Sequence, residues 1–230
     1  MFKKKIPNRL KPILIFLAIL AMAFLIIIVI SLTLPDRQKT NEARGRLLSN
    51  NMVTYWDAEI PQPKADDTSP TLGDGKAPIT IFEFSSFDCN FCAQIQPIIK
   101  KIVTAYPKKV KIVWKDLPLN PNDESAMLAH QAARCADKQD KFWPYADLLW
   151  QNQKDFSEKN LIALANQLKL DEKSFKECLL DQSVRELIEN DIIEADNLLL
   201  PGSPYFYIGS EELMGLATFE DFKNIIEKIK

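Results

Sequence analysis

Two of the chain's four cysteines, Cys89 and Cys92, sit three positions apart in FSSFDCNFCAQIQP, residues 84–97. Such a pair serves as half of a zinc site, as a structural bridge, or as a redox centre. A structural zinc needs a second cysteine pair or nearby histidines. Here Cys135 and Cys178 are far from each other in sequence, and His130 is the one histidine. A bridge closing so short a loop constrains little of the unfolded chain. Redox exchange fits the setting better, and it moves electrons between sulfurs without a metal or other cofactor. Ahead of the pair, ITIFEF (79–84) reads as a strand. Behind it, Ile95, Ile98, Ile99, Ile102 and Tyr106 recur at helical spacing up to Pro107. A helix start offers free N–H groups and a positive dipole end, and both favour a thiolate. The pattern predicts an exposed Cys89 that attacks or is attacked. Cys92, one turn later and facing inward, would resolve the mixed disulfide.

Two further residues bear on that chemistry. Ile79, Ile81 and Glu83 share one strand face. On a central strand covered on both sides, Glu83 would be a carboxyl among apolar neighbours, and burial raises such a pKa. That suits a proton acceptor for Cys92. Pro204 precedes the run YFYI (205–208), and a cis Ser203–Pro204 bond there would expose backbone groups to a substrate. Cys135 and Cys178 fall in a helical region, where they form either a structural bridge or two buried thiols. In the chain-entropy model such a bridge stabilises by ~4 kcal/mol.

These residues must be positioned by an alternating set of elements. VKIVW (110–114) is a second strand, joined to the first by the cysteine helix in a right-handed βαβ unit. Pro97 should kink that helix. Five helices follow. The first runs over about 121–137 behind an Asn120 or Asn122 cap, and the second over about 142–150. Ser157 caps the third, whose buried stripe is Leu161, Leu164, Ala165 and Leu168. Asp171 caps the fourth, with Phe175, Cys178 and Leu179 on one face. The fifth carries Val184, Leu187, Ile188, Ile192, Ala195 and Leu199. A strand at 205–208, a hairpin into Glu212–Met214 and a helix capped by Thr218 complete the chain.

The 230 residues are 47% hydrophobic and 26% charged, with a net charge of −2. That is one folded domain plus an extra segment, and nothing in the charge suggests nucleic-acid binding. The extra segment is Ile13–Leu34, an uncharged apolar run long enough to cross a bilayer. Lys3, Lys4, Lys5, Arg9 and Lys11 precede it, which places residues 1–12 in the cytoplasm and the rest outside. A signal peptide has a shorter apolar core and a small-residue cleavage site. SLTLP is a poor one, so an uncleaved anchor is expected. Residues 35–70 then read as a linker, and 71–230 as the folded domain with a helical insertion over about 120–199. Either fate of the segment exports the domain to a compartment where disulfides persist.

The segment from about Thr71 to Lys230 resembles the DsbA-like thiol:disulfide oxidoreductases. The resemblance lies in APITIFEFSSFDCNFC, KDLPL, AARCADKQDKFWPYADLLW, FKECL and PGSPYFYIG. It implies an α/β thioredoxin fold with an inserted all-helical domain. It also implies Cys89 as nucleophile, Cys92 as resolving cysteine, Glu83 as buried acid and a cis-Pro204 facing the site. Asn90, Phe91 and Ser203 would meet the substrate together with Pro204, and Phe87 and Tyr205 would extend that surface. The resemblance raises the Cys135–Cys178 pairing as well. Implied partners are exported clients with free thiols and a membrane quinone-linked protein that reoxidises the pair. Strongly oxidising members tend to have Pro-His between the cysteines, whereas this chain has Asn90-Phe91. Phe91 supplies neither charge nor a hydrogen bond to a thiolate. The expected potential therefore lies between about −270 and about −120 mV. A reductase or isomerase on the same fold, and a non-catalytic tethered binding module, are the competing readings.

Overall fold

The computed structural model describes residues 62–229. The expected anchor at 13–34, the residues before it and the linker as far as 61 lie outside the described residues. Among the described residues, no helix is long and apolar enough to cross a membrane.

The elements are β1 (Thr71–Gly73), β2 (Ile79–Ser85), α1 (Asn90–Ala105), β3 (Val110–Asp116), α2 (Glu124–Asp137), α3 (Phe142–Gln151), α4 (Glu158–Gln167), α5 (Glu172–Leu179), α6 (Gln182–Asn197), β4 (Tyr205–Ile208), β5 (Glu211–Met214) and α7 (Phe219–Ile226). The strands form one sheet in the order β1-β3-β2-β4-β5. β2 and β3 are parallel, with Glu83 opposite Trp114, and β4 runs antiparallel to β2.

The central strands are covered on both faces, which explains their nearly continuous apolar character. On one face Ile79, Ile81, Val110 and Ile112 meet Ile95, Ile99 and Ile102 of α1 and Phe222 and Ile226 of α7. On the other, Phe84 and Tyr207 meet Ala195 of α6. Each large apolar side chain so buried stabilises by ~1.5–3 kcal/mol. A second core, with Trp114, Phe142, Tyr145 and Phe175, fills the helical block. There the Cys135–Cys178 disulfide ties α2 to α5, with Cα atoms 5.7 Å apart.

Several details differ from the sequence expectation. β1, at the start of the expected domain, does not read as a strand in sequence because three residues, TLG, show no alternation, and its register comes from the edge of β3. Gly73 sits there at φ 99°, and an added Cβ would come within 3.0 Å of the Val110 carbonyl oxygen. Residues ahead of β1 are also fastened, since the Thr68 carbonyl accepts from Arg134 at 2.7 Å. Asp123, not Asn120 or Asn122, caps α2, accepting from Ser125 N–H at 2.9 Å. Asn120 instead closes the preceding turn by accepting from Asn122 N–H. Leu199 is exposed and lies past the end of α6, at φ 56°. The buried stripe of α6 is Val184, Ile188, Asp191 and Ala195, one of them an acid.

Candidate functional site

Cys89 is the N-cap of α1, and its side chain closes the helix start. The Cys92 N–H points at Cys89 Sγ from 3.0 Å. This N–H is one of the unpaired donors at a helix start, and it would stabilise negative charge on that sulfur. The two cysteines are joined as a disulfide. The expectation of an exposed Cys89 is corrected: in this oxidised form Cys89 is 2% exposed and Cys92 is fully buried. Capping the helix turns the sulfur inward, and the Ser203 carbonyl oxygen covers it from 3.7 Å. Asn90 is exposed and Phe91 is 57% exposed, so the intervening dipeptide forms the open side of the site.

The Ser203–Pro204 bond is cis, Ser203 is half-buried and Pro204 is buried. The Pro204 carbonyl accepts from Gly215 N–H at 2.9 Å, so it is taken up within the fold. Ser203, by contrast, presents its carbonyl to the cysteine pair. Tyr205 is partly exposed, and its hydroxyl donates to Glu212. Phe87 is corrected as a surface residue. It is fully buried and stacks on Trp114 with ring centroids 5.1 Å apart, because the chain turns it into the helical-block core.

Glu83 is fully buried on β2, between Trp114 and Phe206 on the neighbouring strands. Burial pushes its carboxyl up to about 7, against a smaller opposing effect from the Gln96 side chain. Gln96 Nε2 donates to Glu83 Oε1 at 2.6 Å and to the Cys92 carbonyl at 3.1 Å. The side chain of Gln96 thus ties the acid to the cysteine helix. A group titrating near neutrality can both take and return a proton at working pH.

Sequence reasoning missed a buried polar chain behind the motif. Asp88 accepts from Ser86, whose Oγ lies 3.2 Å from His130 Nε2. His130 Nδ1 is 2.6 Å from Asp116, which also accepts from Arg134 Nε at 2.6 Å and Trp114 Nε1 at 2.7 Å. Arg134 continues to Asp191 at 2.6 Å, and Asp191 meets Lys115 at 3.0 Å. The signal was a set of polar residues at buried helix positions: Gln96 among isoleucines, His130 and Arg134 one turn apart, and Asp191 between Ile188 and Ala195. The helical block also grips the motif's backbone. Gln153 donates to the carbonyls of Phe87 (2.7 Å) and Cys89 (3.0 Å), and Trp150 donates to that of Ser86 (3.1 Å).

A family model described as "Thioredoxin" matches residues 65–228. The chain belongs to this thioredoxin family. In the sequence comparison, residues of this thioredoxin-family chain are 31% identical over 153 positions to "Na(+)/H(+) antiporter NhaA 3" of Salinispora tropica, a match that covers 66% of this chain. The chain spans only 23% of that antiporter's length. It is 25% identical over 174 residues to "Probable disulfide bond formation protein D" of Bacillus cereus, covering 71% of this chain and 80% of that one. Solved structures with the same fold include alpha-DsbA2 of Wolbachia pipientis, at TM-score 0.66 and 19% identity, covering 82% of this chain and 98% of that one. Another is oxidised BdbD of Bacillus subtilis, at TM-score 0.64 and 24% identity, covering 74% and 97%. The fold is therefore a thioredoxin-like α/β domain that carries additional helices.

Proposed function

We propose that this thioredoxin-family chain is a thiol:disulfide oxidoreductase that forms disulfides in exported proteins through Cys89 and Cys92. The observation that carries the proposal is the Cys89–Cys92 disulfide at the start of α1, with the Cys92 N–H aimed at Cys89 Sγ from 3.0 Å. A client thiolate attacks Cys89 Sγ, the Cys89–Cys92 bond breaks, and Cys92 leaves as a thiolate that takes the Glu83 proton. The client's second thiolate then displaces Cys89 from the mixed disulfide. The client is oxidised and the enzyme pair reduced by two electrons. Asn90, Phe91, Ser203 and Pro204 are the proposed contacts to the client. A membrane quinone-linked partner would restore the pair. The apolar run Ile13–Leu34 and its basic flank support a single-pass anchor with the domain outside the cytoplasm.

Trapping thiols with an alkylating mass tag in intact cells tests the direction. Oxidase action predicts Cys89 and Cys92 mostly oxidised, with client oxidation lost in Cys89→Ala. A mostly reduced pair supports a reductase or isomerase instead. The Asn90-Phe91 dipeptide favours that second reading, because Phe91 cannot stabilise the Cys89 thiolate as a charged donor does.

A further inference from the structure

We propose that Gln96 is the positioning residue for the Glu83 proton acceptor: its amide turns over when Glu83 gains or loses a proton, and the cleft between α1 and α3 is where that proton meets water. The proposal rests on the exchange reaction assigned above.

Gln96 is buried on a helix face otherwise lined by Ile95, Ile99 and Ile102. Both hydrogens of its amide are in use, one on Glu83 Oε1 and one on the Cys92 carbonyl. Its own oxygen, and the second oxygen of Glu83, are buried without a hydrogen-bond partner among the described residues. This arrangement suits an ionised Glu83, which only accepts. A protonated Glu83 has a hydrogen to donate, and the acceptors at hand are Gln96 Oε1 and the buried Ser85 hydroxyl. A half-turn of the amide about its last side-chain bond presents Gln96 Oε1 to Glu83 and gives up the hydrogen bond to the Cys92 carbonyl. A purely apolar residue would serve neither state. Leaving a buried donor or acceptor unpaired is unfavourable, so each state of Glu83 selects its own amide orientation.

Gln96 also lines a solvent-facing cleft of about 380 Å³, together with Ala93, Pro97, Lys100, Asp147 and Trp150. One side chain therefore borders both the acid and the outside. The titratable groups on the elements around Glu83 are Cys92 on α1, the Lys100–Asp147 pair of the cleft, joined at 2.6 Å, Lys115 and Asp116 on β3, which are paired with Asp191 and Arg134, and Tyr205 and Tyr207 on β4. Trp114 of β3 and Phe206 of β4 flank it on the sheet. When the Cys89–Cys92 bond breaks, the Cys92 thiolate takes the Glu83 proton and the amide settles on the carboxylate. Water in the cleft then returns a proton to Glu83 and the amide turns back. Reoxidation runs the same transfers in reverse.

The test is the pH dependence of reduction of the Cys89–Cys92 disulfide by dithiothreitol in the full chain, for wild type, Gln96→Met and Gln96→Asn. Losing a hydrogen bond to the carboxylate should move the Glu83-dependent midpoint upward by about one pH unit in Gln96→Met, with partial recovery in Gln96→Asn. An unchanged midpoint in Gln96→Met overturns the proposal. If the wild-type disulfide is not reduced by dithiothreitol, or Cys89→Ala still oxidises client thiols, the functional reading itself fails. Should Gln96→Met not fold, infrared difference spectra of wild type between pH 6 and 8 decide. A side-chain amide carbonyl shift accompanying the carboxyl band is expected, and a carboxyl band alone overturns the proposal.

Discussion

Glu83 and Asp116 stand on adjacent parallel strands, and both are fully shielded from water. Yet they are driven in opposite directions. Glu83 has the Gln96 amide as its hydrogen-bond partner, so burial prevails and its carboxyl rises to about 7. At Asp116 burial pushes the same way but is outweighed by the Arg134 charge, then by His130 and Trp114, which hold it well below the usual carboxylate range. Burial sets the stakes and the partners decide the sign. Asp191 shows the intermediate case. Burial and the nearby Asp116 carboxylate raise it to about 6, although Arg134 and Lys115 both oppose the rise. The sheet thus carries one acid pushed up towards neutrality and one held ionised.

The sharpest way to break this comparison is to remove the partner. Arg134→Met leaves two carboxyls, Asp116 and Asp191, buried without their shared cation. The expected loss is ~3–5 kcal/mol by urea denaturation near neutral pH, and an unmoved midpoint would show that the Asp116 network is not held by charge. Second is Glu83→Gln, whose effect has the opposite sign. The folded pKa of Glu83 is about 7 against 4.5 for the free group, so the folded state binds the extra proton between those values. Wild-type stability should therefore fall as pH rises from 4.5 to 8, by up to ~3 kcal/mol from this group. The variant should lose that slope and be the more stable protein at pH 8, while client oxidation slows by about 10²-fold or more. Asp116 contributes in the reverse sense. Its stabilisation is present above its ordinary pKa and is lost only in stronger acid. The smallest effect belongs to Lys138→Ala, which removes an exposed pair with Asp181 at 3.2 Å. A change below about 1 kcal/mol is expected, and a larger one would mean that exposure matters less here than the contrast with Arg134 implies.

Regular patterning made most of the architecture readable. The β2 run, the isoleucine stripe of α1 and the caps at Ser157, Asp171 and Thr218 each declared an element through local chemistry. The cysteine spacing pointed to the Cys89–Cys92 pair, which the structure joins as a disulfide. What escaped depended on long-range geometry. β1 exists because the edge of β3 recruits it. The sulfur of Cys89 is covered because a loop more than a hundred positions later brings Ser203 over it. His130, Arg134 and Asp191 had no role assigned from the sequence because a helical stripe is recognised by its apolar members, and their partners lie on other elements. Gln96 was hidden for the same reason, one turn beyond the motif it serves.

Gln153 and Trp150 bind three carbonyls of the segment that leads into the cysteine pair. The motif is therefore not a portable cassette. Cut out with its strand and helix and grafted onto another scaffold, CNFC would keep its sequence but lose the splint that fixes its approach. Among relatives of equal motif, exchanging only the helical block should alter how stiffly the disulfide is presented. The block is then a tuning part, open to evolutionary change while the two cysteines stay fixed.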